Sequence, residues 1–134
     1  MPFVIKLSNL CFLGEQNEAQ NDLCLHGNVF IQIGDYVMDN GKEDQWTVSA
    51  GALRLLRSVV ENHYAGNEEH LMPCCGHFMI PSDDLQTINI SGCPNGIDFT
   101  VLHKDNTVEL ITDRSRDIFS FDEYKKVSST LQHP

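Results

Sequence analysis

Ile97-Asp98-Phe99-Thr100-Val101-Leu102-His103-Lys104-Asp105-Asn106-Thr107-Val108-Glu109-Leu110-Ile111 decides the fold. Apolar residues gather from Ile97 to Leu102 and again from Val108 to Ile111, and Lys104-Asp105-Asn106 between them has the chemistry of a turn. Strands joined this closely must run antiparallel, because a parallel pair needs a long crossover. Upstream, Ile88-Asn89-Ile90 is another short apolar run, and Pro94-Asn95-Gly96 suits a tight turn: proline sets φ, asparagine tolerates the next position and glycine relaxes the exit. The stretch from Ile88 to Ile111 therefore predicts a three-stranded meander, with one further strand at Ile118 to Phe121.

Working outward, the chain ends in a short helix with a marked start. Ser120 and Glu123 form a capping box, Phe119 and Tyr124 a hydrophobic staple, and Tyr124, Val127 and Leu131 are expected to face inward. Toward the N-terminus, Ser49 to about Tyr64 predicts the long helix. Leu53, Leu56, Val60 and His63 recur at three- and four-residue steps, and Ala52, Leu55 and Val59 widen the stripe. Thr47 or Ser49 can cap it, Arg57 and Glu61 make an i,i+4 pair, Gly66 suits a C-cap, and Arg54 and Arg57 are expected to face away from the stripe.

Before that helix, Phe3 to Leu7 and Leu10 to Leu13 are short apolar runs, and Gly14 to Asp22 reads as a polar loop. Val29, Ile31 and Ile33 alternate with Phe30 and Gln32, the period of a strand with one buried face, and Trp46 marks a return toward the core. Gly27-Asn28 and Gly34-Asp35 are expected to bracket that strand as turns, with Asp39-Asn40-Gly41-Lys42 a further one. Strands dominate, so the expectation is a single α+β domain over residues 1–134: a mostly antiparallel sheet, one long central helix and a short C-terminal helix.

The 134-residue chain is long enough to bury a core without staples. Its formal net charge is -10, from 19 acidic and 9 basic residues, a field that repels phosphate backbones and suits a basic partner. Met1 to Ser8 lacks the charged and apolar regions of a secretory leader, and no run approaches the roughly 18 apolar residues of a membrane span. Five cysteines, an odd number, argue against a disulfide framework and for a reducing cytoplasm.

Reactive side chains concentrate in Pro73-Cys74-Cys75-Gly76-His77 and Gly92-Cys93-Pro94. Cys74, Cys75, His77 and Cys93 supply the atoms of a tetrahedral zinc site, with His70 or His103 able to replace one of them. The spacing departs from familiar zinc modules, since the second end holds one cysteine and Cys74 and Cys75 are adjacent. Without metal, one of that pair is a small buried hydrophobe and the other lies near the surface. A cysteine nucleophile would pair Cys75 or Cys93 with His77 or His103, oriented by Asp98, yet no nucleophile elbow or phosphate loop accompanies them. Asp98 can also be an outward strand residue or accept a hydrogen bond from a neighbouring turn. Thiol redox chemistry lacks its Cys-x-x-Cys. Cys11 and Cys24 read as core, His63 as part of the helix's apolar stripe, His26 as a turn residue, and Asp83-Asp84 as a solvated loop or a helix cap.

Trp46-Thr47-Val48-Ser49-Ala50, Leu53-Arg54-Leu55-Leu56-Arg57, Pro73-Cys74-Cys75-Gly76-His77 and Gly92-Cys93-Pro94-Asn95-Gly96-Ile97-Asp98 resemble segments of small uncharacterised bacterial α+β proteins, over roughly positions 23 to 131. That resemblance implies no catalytic residues. In size, charge and style, rather than in motif, the chain is also similar to immunity proteins that neutralise secreted toxins. The leading expectation is thus a non-enzymatic cytoplasmic protein-binding module that meets a basic partner. The alternative is a small zinc-binding or thiol-dependent enzyme using Cys74, Cys75, His77 and Cys93, and a third is a homodimer paired through an edge strand.

Overall fold

The computed structural model describes residues 2–12, 25–66, 70–73, 78–91 and 96–129. Strands β1 (Phe3–Phe12), β2 (Leu25–Ile33) and β3 (Tyr36–Thr47) form an antiparallel sheet in the order β1-β2-β3. Period-two patterning decides its faces. Val29, Ile31 and Ile33 point into the core, and Phe3 and Ile5 join them from their paired positions on β1. Helix α1 (Val48–Val60) follows β3 directly.

Short ladders come next: β4 (Met72–Pro73) pairs with β7 (Gly96–Ile97), and β5 (Phe78–Pro81) with β6 (Ile88–Ser91). Strands β8 (Thr100–Lys104), β9 (Thr107–Ile111) and β10 (Arg116–Ser120) make a meander, followed at once by helix α2 (Phe121–Ser128). Antiparallel sheets with two helices define an α+β fold.

The core forms where α2 meets β1 and the meander. Phe3 stacks on Tyr124 with ring centroids 5.5 Å apart and planes 5° from parallel, and Phe99 meets Phe3 edge-on at 6.4 Å. Val101, Val108, Leu110 and Phe119 complete the buried side of the meander. The expected cap is present: Ser120 Oγ accepts from Glu123 N–H at 3.1 Å, and both staple residues, Phe119 and Tyr124, are buried. Val127 packs partly against the core, while Leu131 lies outside the described residues.

Several expectations are corrected. The meander is β8-β9-β10; Ile88 to Ser91 pairs instead with β5, and Gly96-Ile97 with β4. Gly27-Asn28 lies inside β2, and His26 is a buried strand residue rather than a turn residue. Asp39 to Lys42 stays within β3 as an irregularity: Gly41 takes φ +75°, and Asp39 and Asn40 accept from the N–H groups of Gly41 and Lys42. These Gly and Asn positions carry turn chemistry, but long ladders on either side absorb them as bulges.

Helix α1 is 13 residues long, shorter than expected, and ends at Val60 because the edge of β8 takes the backbone beyond it. Glu61 is extended, and His63 N–H and C=O exchange hydrogen bonds with Val101 at 2.9 and 2.7 Å. Gly66 then sits beyond the helix at φ +98°, not at its C-cap, and N-cap Thr47 makes no side-chain cap bond. The buried face is also rotated. Ala50, Gly51, Arg54, Leu55, Ser58 and Val59 face inward, whereas Leu56 and Val60 face solvent. Small residues set this choice, since a Cβ on Gly51 would fall 2.4 Å from Met72 Sδ. Arg54, expected outside, is buried with its Nη1 donating to His70 O at 2.6 Å.

Candidate functional site

The reactive residues singled out from the sequence, Cys74, Cys75, His77 and Cys93, lie outside the described residues. Their surroundings are nevertheless defined at both ends. Pro73 pairs with Gly96, and Phe78 pairs with Ser91, so the described residues on either side of 74–77 are paired with those on either side of 92–95. Gly96 is required there: a Cβ on it would lie 2.3 Å from Met72 O. Of the alternative ligands, His103 is committed elsewhere, its Nε2–H donating to Ser58 O at 2.7 Å, near the end of α1. Among the described residues no group of three or more His, Cys, Asp or Glu side chains is placed to hold a metal.

A different pair is assembled instead. His63 Nε2 donates to Asp98 Oδ1 at 2.7 Å, and the same oxygen accepts Leu71 N–H at 3.2 Å. The two side chains keep only 17% and 10% of their exposure. Asp98 thus joins the exit of α1, the approach to β4 and the β7–β8 connection. Asp98 holds a histidine, but it is His63, which the sequence places in the helix, and not His103, which bonds Ser58 O. Sequence reasoning missed the pair because it assigned His63 to helix. A signal was present in Glu61-Asn62-His63-Tyr64, a run of modest helix formers apart from its glutamate.

His63 borders a cleft of about 240 Å³ whose other walls include Arg57, Glu61, Asn62 and Tyr64. With Nε2 given to Asp98, Nδ1 is the only ring nitrogen left for a further contact. Nucleophilic catalysis would need an activated hydroxyl or thiol beside it. Ser58 also lines the cleft, but its hydroxyl is engaged with Leu55 O and Tyr124 Oη, each at 2.6 Å. Burial raises the Tyr124 phenol above its ordinary 10.0, outweighing the opposing effect of the contact with Ser58, so it stays protonated and donates to Ser58 Oγ, whose own proton goes to Leu55 O. Among the described residues the pair is a fastener more than a reaction centre.

Asn62 separates this cleft from a second of about 360 Å³, which Leu102, Lys104, Glu109 and Ile118 also line. Cross-strand pairing places Leu102, Glu109 and Ile118 in one row on the outward face of the meander. Beside the first cleft, Leu56, Val60 and Tyr64 stand at four-residue intervals, exposed by 45%, 78% and 55%. Compared with known protein families, curated proteins and solved structures, the chain finds no match in any of the three. No helix among the described residues is long and apolar enough to cross a membrane.

Proposed function

We propose that this chain is a non-catalytic protein-binding module of the cytoplasm, of the immunity type, whose partner is a basic protein. The observation that carries the proposal is the exposed apolar pair Leu56 and Val60 on α1, with Tyr64 exposed beyond the end of the helix. The pair stands one turn apart, the spacing of a covered helix face, yet the molecule packs the opposite face of α1 and leaves this one in water. The charge of -10 selects the occupant: a second copy would add an equal charge, whereas a basic surface is attracted. The test is capture on the immobilised full chain, followed by reconstitution from purified components. A basic protein released as salt rises, and bound at least tenfold more weakly by Val60→Glu with unchanged unfolding, is expected. Salt-independent binding, or indifference to Val60→Glu, would sink the proposal.

A second reading, a small zinc-binding or thiol-dependent protein using Cys74, Cys75, His77 and Cys93, is favoured by the pairs Pro73–Gly96 and Phe78–Ser91, which bracket both stretches carrying those residues. Elemental analysis of protein purified without chelator, with a native thiol count, decides it. Near-stoichiometric zinc with protected thiols supports it; metal-free protein with ordinary thiols removes it.

A further inference from the structure

The β5–β6 hairpin turns through Ser82-Asp83-Asp84-Leu85-Gln86-Thr87. Leu85 sits at its tip, 75% exposed, with φ +60°. Either property alone has an ordinary explanation, since lone surface leucines are common and turns often use the left-handed region. Their combination does not. The left-handed region is costly for a residue with a branched apolar side chain, and glycine or asparagine would close the same turn without that strain. Water gives the exposed leucine no packing in return. The residue type is unfavourable for folding on both counts.

The turn holds this arrangement firmly. Leu85 N–H donates to Ser82 O at 2.9 Å, Ser82 N–H to Thr87 O at 2.9 Å, and Thr87 N–H to Ser82 Oγ at 3.2 Å. Asp84 Oδ1 accepts from Ser82 Oγ–H at 2.5 Å and from Gln86 N–H at 3.1 Å. These two bonds, the hydroxyl first, hold the Asp84 carboxyl below its ordinary value, so it remains charged. Asp83 and Asp84 are both exposed, and no basic residue lies between Pro81 and Ile88.

We propose that Leu85 is a preorganised anchor that enters an apolar pocket rimmed by lysine or arginine on a basic protein partner, with Asp83 and Asp84 meeting that rim. The inference rests on the protein-binding reading above and names the partner's surface. An apolar side chain on a backbone already held by the turn has only its own rotamers to lose on docking, which suits an interface anchor. The paired carboxylates choose the sign of the rim and hasten encounter.

The test places a diazirine-bearing amino acid at position 85, or separately at position 60, of the full chain in its native cells, and maps the photoproducts. The expected result at position 85 is one captured protein, joined through apolar residues flanked by lysine or arginine. With that protein purified, Leu85→Asn and Leu85→Gly should each weaken binding at least tenfold while unfolding at the same or higher temperature. Asp83→Asn with Asp84→Asn should weaken binding and flatten its salt dependence. Capture at position 60 without capture at position 85, or full affinity in Leu85→Gly, overturns the anchor and leaves the binding reading standing. Capture at neither position overturns both, and capture of a second copy of this chain at position 85 overturns the basic partner.

Discussion

The β8–β9 and β5–β6 hairpins both turn through a non-glycine residue in the left-handed region, Asp105 at φ 54° and Leu85 at φ 60°. In the first, the residue suits its backbone, because the short polar side chain of aspartate can bond locally where a branched apolar one cannot. The strands it joins bring Val101, Val108 and Leu110 into full burial. In the second, residue and backbone disagree, and the side chain is left in water. One hairpin is explained by folding alone. The other spends conformational energy without folding return, a pattern that belongs to surfaces shaped for something outside the chain.

The largest effect expected lies on the side explained by folding. Tyr124→Ala removes the ring stacked on Phe3 and the partner of Ser58, and should cost about 3–5 kcal/mol in urea unfolding. Leu85→Ala should stay within about 0.5 kcal/mol of wild type, as an exposed position does; a loss as large as that of Tyr124→Ala would break the comparison. Next comes Asp98→Ala, which strips the acceptor from His63 and from Leu71 N–H and should cost about 1–3 kcal/mol. Faster hydrogen exchange at Leu71 N–H would localise that loss, and unchanged exchange would mean Asp98 is not the fastener described.

Sharper, though smaller, is the pair of glycine substitutions. Leu85→Gly should gain about 1 kcal/mol by relieving the left-handed strain, less the added freedom of the unfolded chain. Asp105→Gly should change stability by no more than a few tenths of a kcal/mol, roughly the difference between residues that tolerate this region. Equal responses would remove the contrast between the hairpins. A last effect, one of pH, concerns the Tyr124 phenol, whose folded value lies above 10.0. Near pH 10 the unfolded chain releases this proton while the folded chain keeps it. Stability is therefore fully present below that pH and falls as pH rises through the folded value. Tyr124→Phe should lose that part of the alkaline slope in parallel denaturation series, at a constant cost of about 1 kcal/mol for the missing hydrogen bond.

Much of the fold was legible where local chemistry and packing agree. The Ser120 cap, the staple of Phe119 and Tyr124, the alternation through Val29, Ile31 and Ile33, and the β8–β9 turn are each explained by neighbouring residues. Misreadings came where two local signals were equal and a distant partner chose between them. Gly41 suits a turn or a bulge, and only the β2 ladder selects the bulge. Both faces of α1 offer apolar residues, and close approach of Met72 and the hydroxyl of Tyr124 selects the face with Gly51 and Ser58.

The candidate sites divide in the same way. The cysteines stand out in the sequence by residue type, whereas the pairing of the residues that flank them, Pro73 with Gly96 and Phe78 with Ser91, joins positions too far apart for any local signal. His63 and Asp98 lie 35 positions apart, and no spacing rule joins them until β8 claims the backbone at residue 63. Leu85 was invisible because a leucine beside two aspartates says nothing of φ or exposure.

By itself, the sequence determined the class of fold, the antiparallel pairing around Asp105, the start of the last helix and the sign of the molecule's charge. Each of these follows from residues within a few positions of one another or from simple addition. Tertiary structure alone decided where α1 ends, which of its faces meets water, which histidine Asp98 holds and how Leu85 is presented. Those outcomes depend on backbone and side chains far apart in the chain competing for the same hydrogen bonds and the same space.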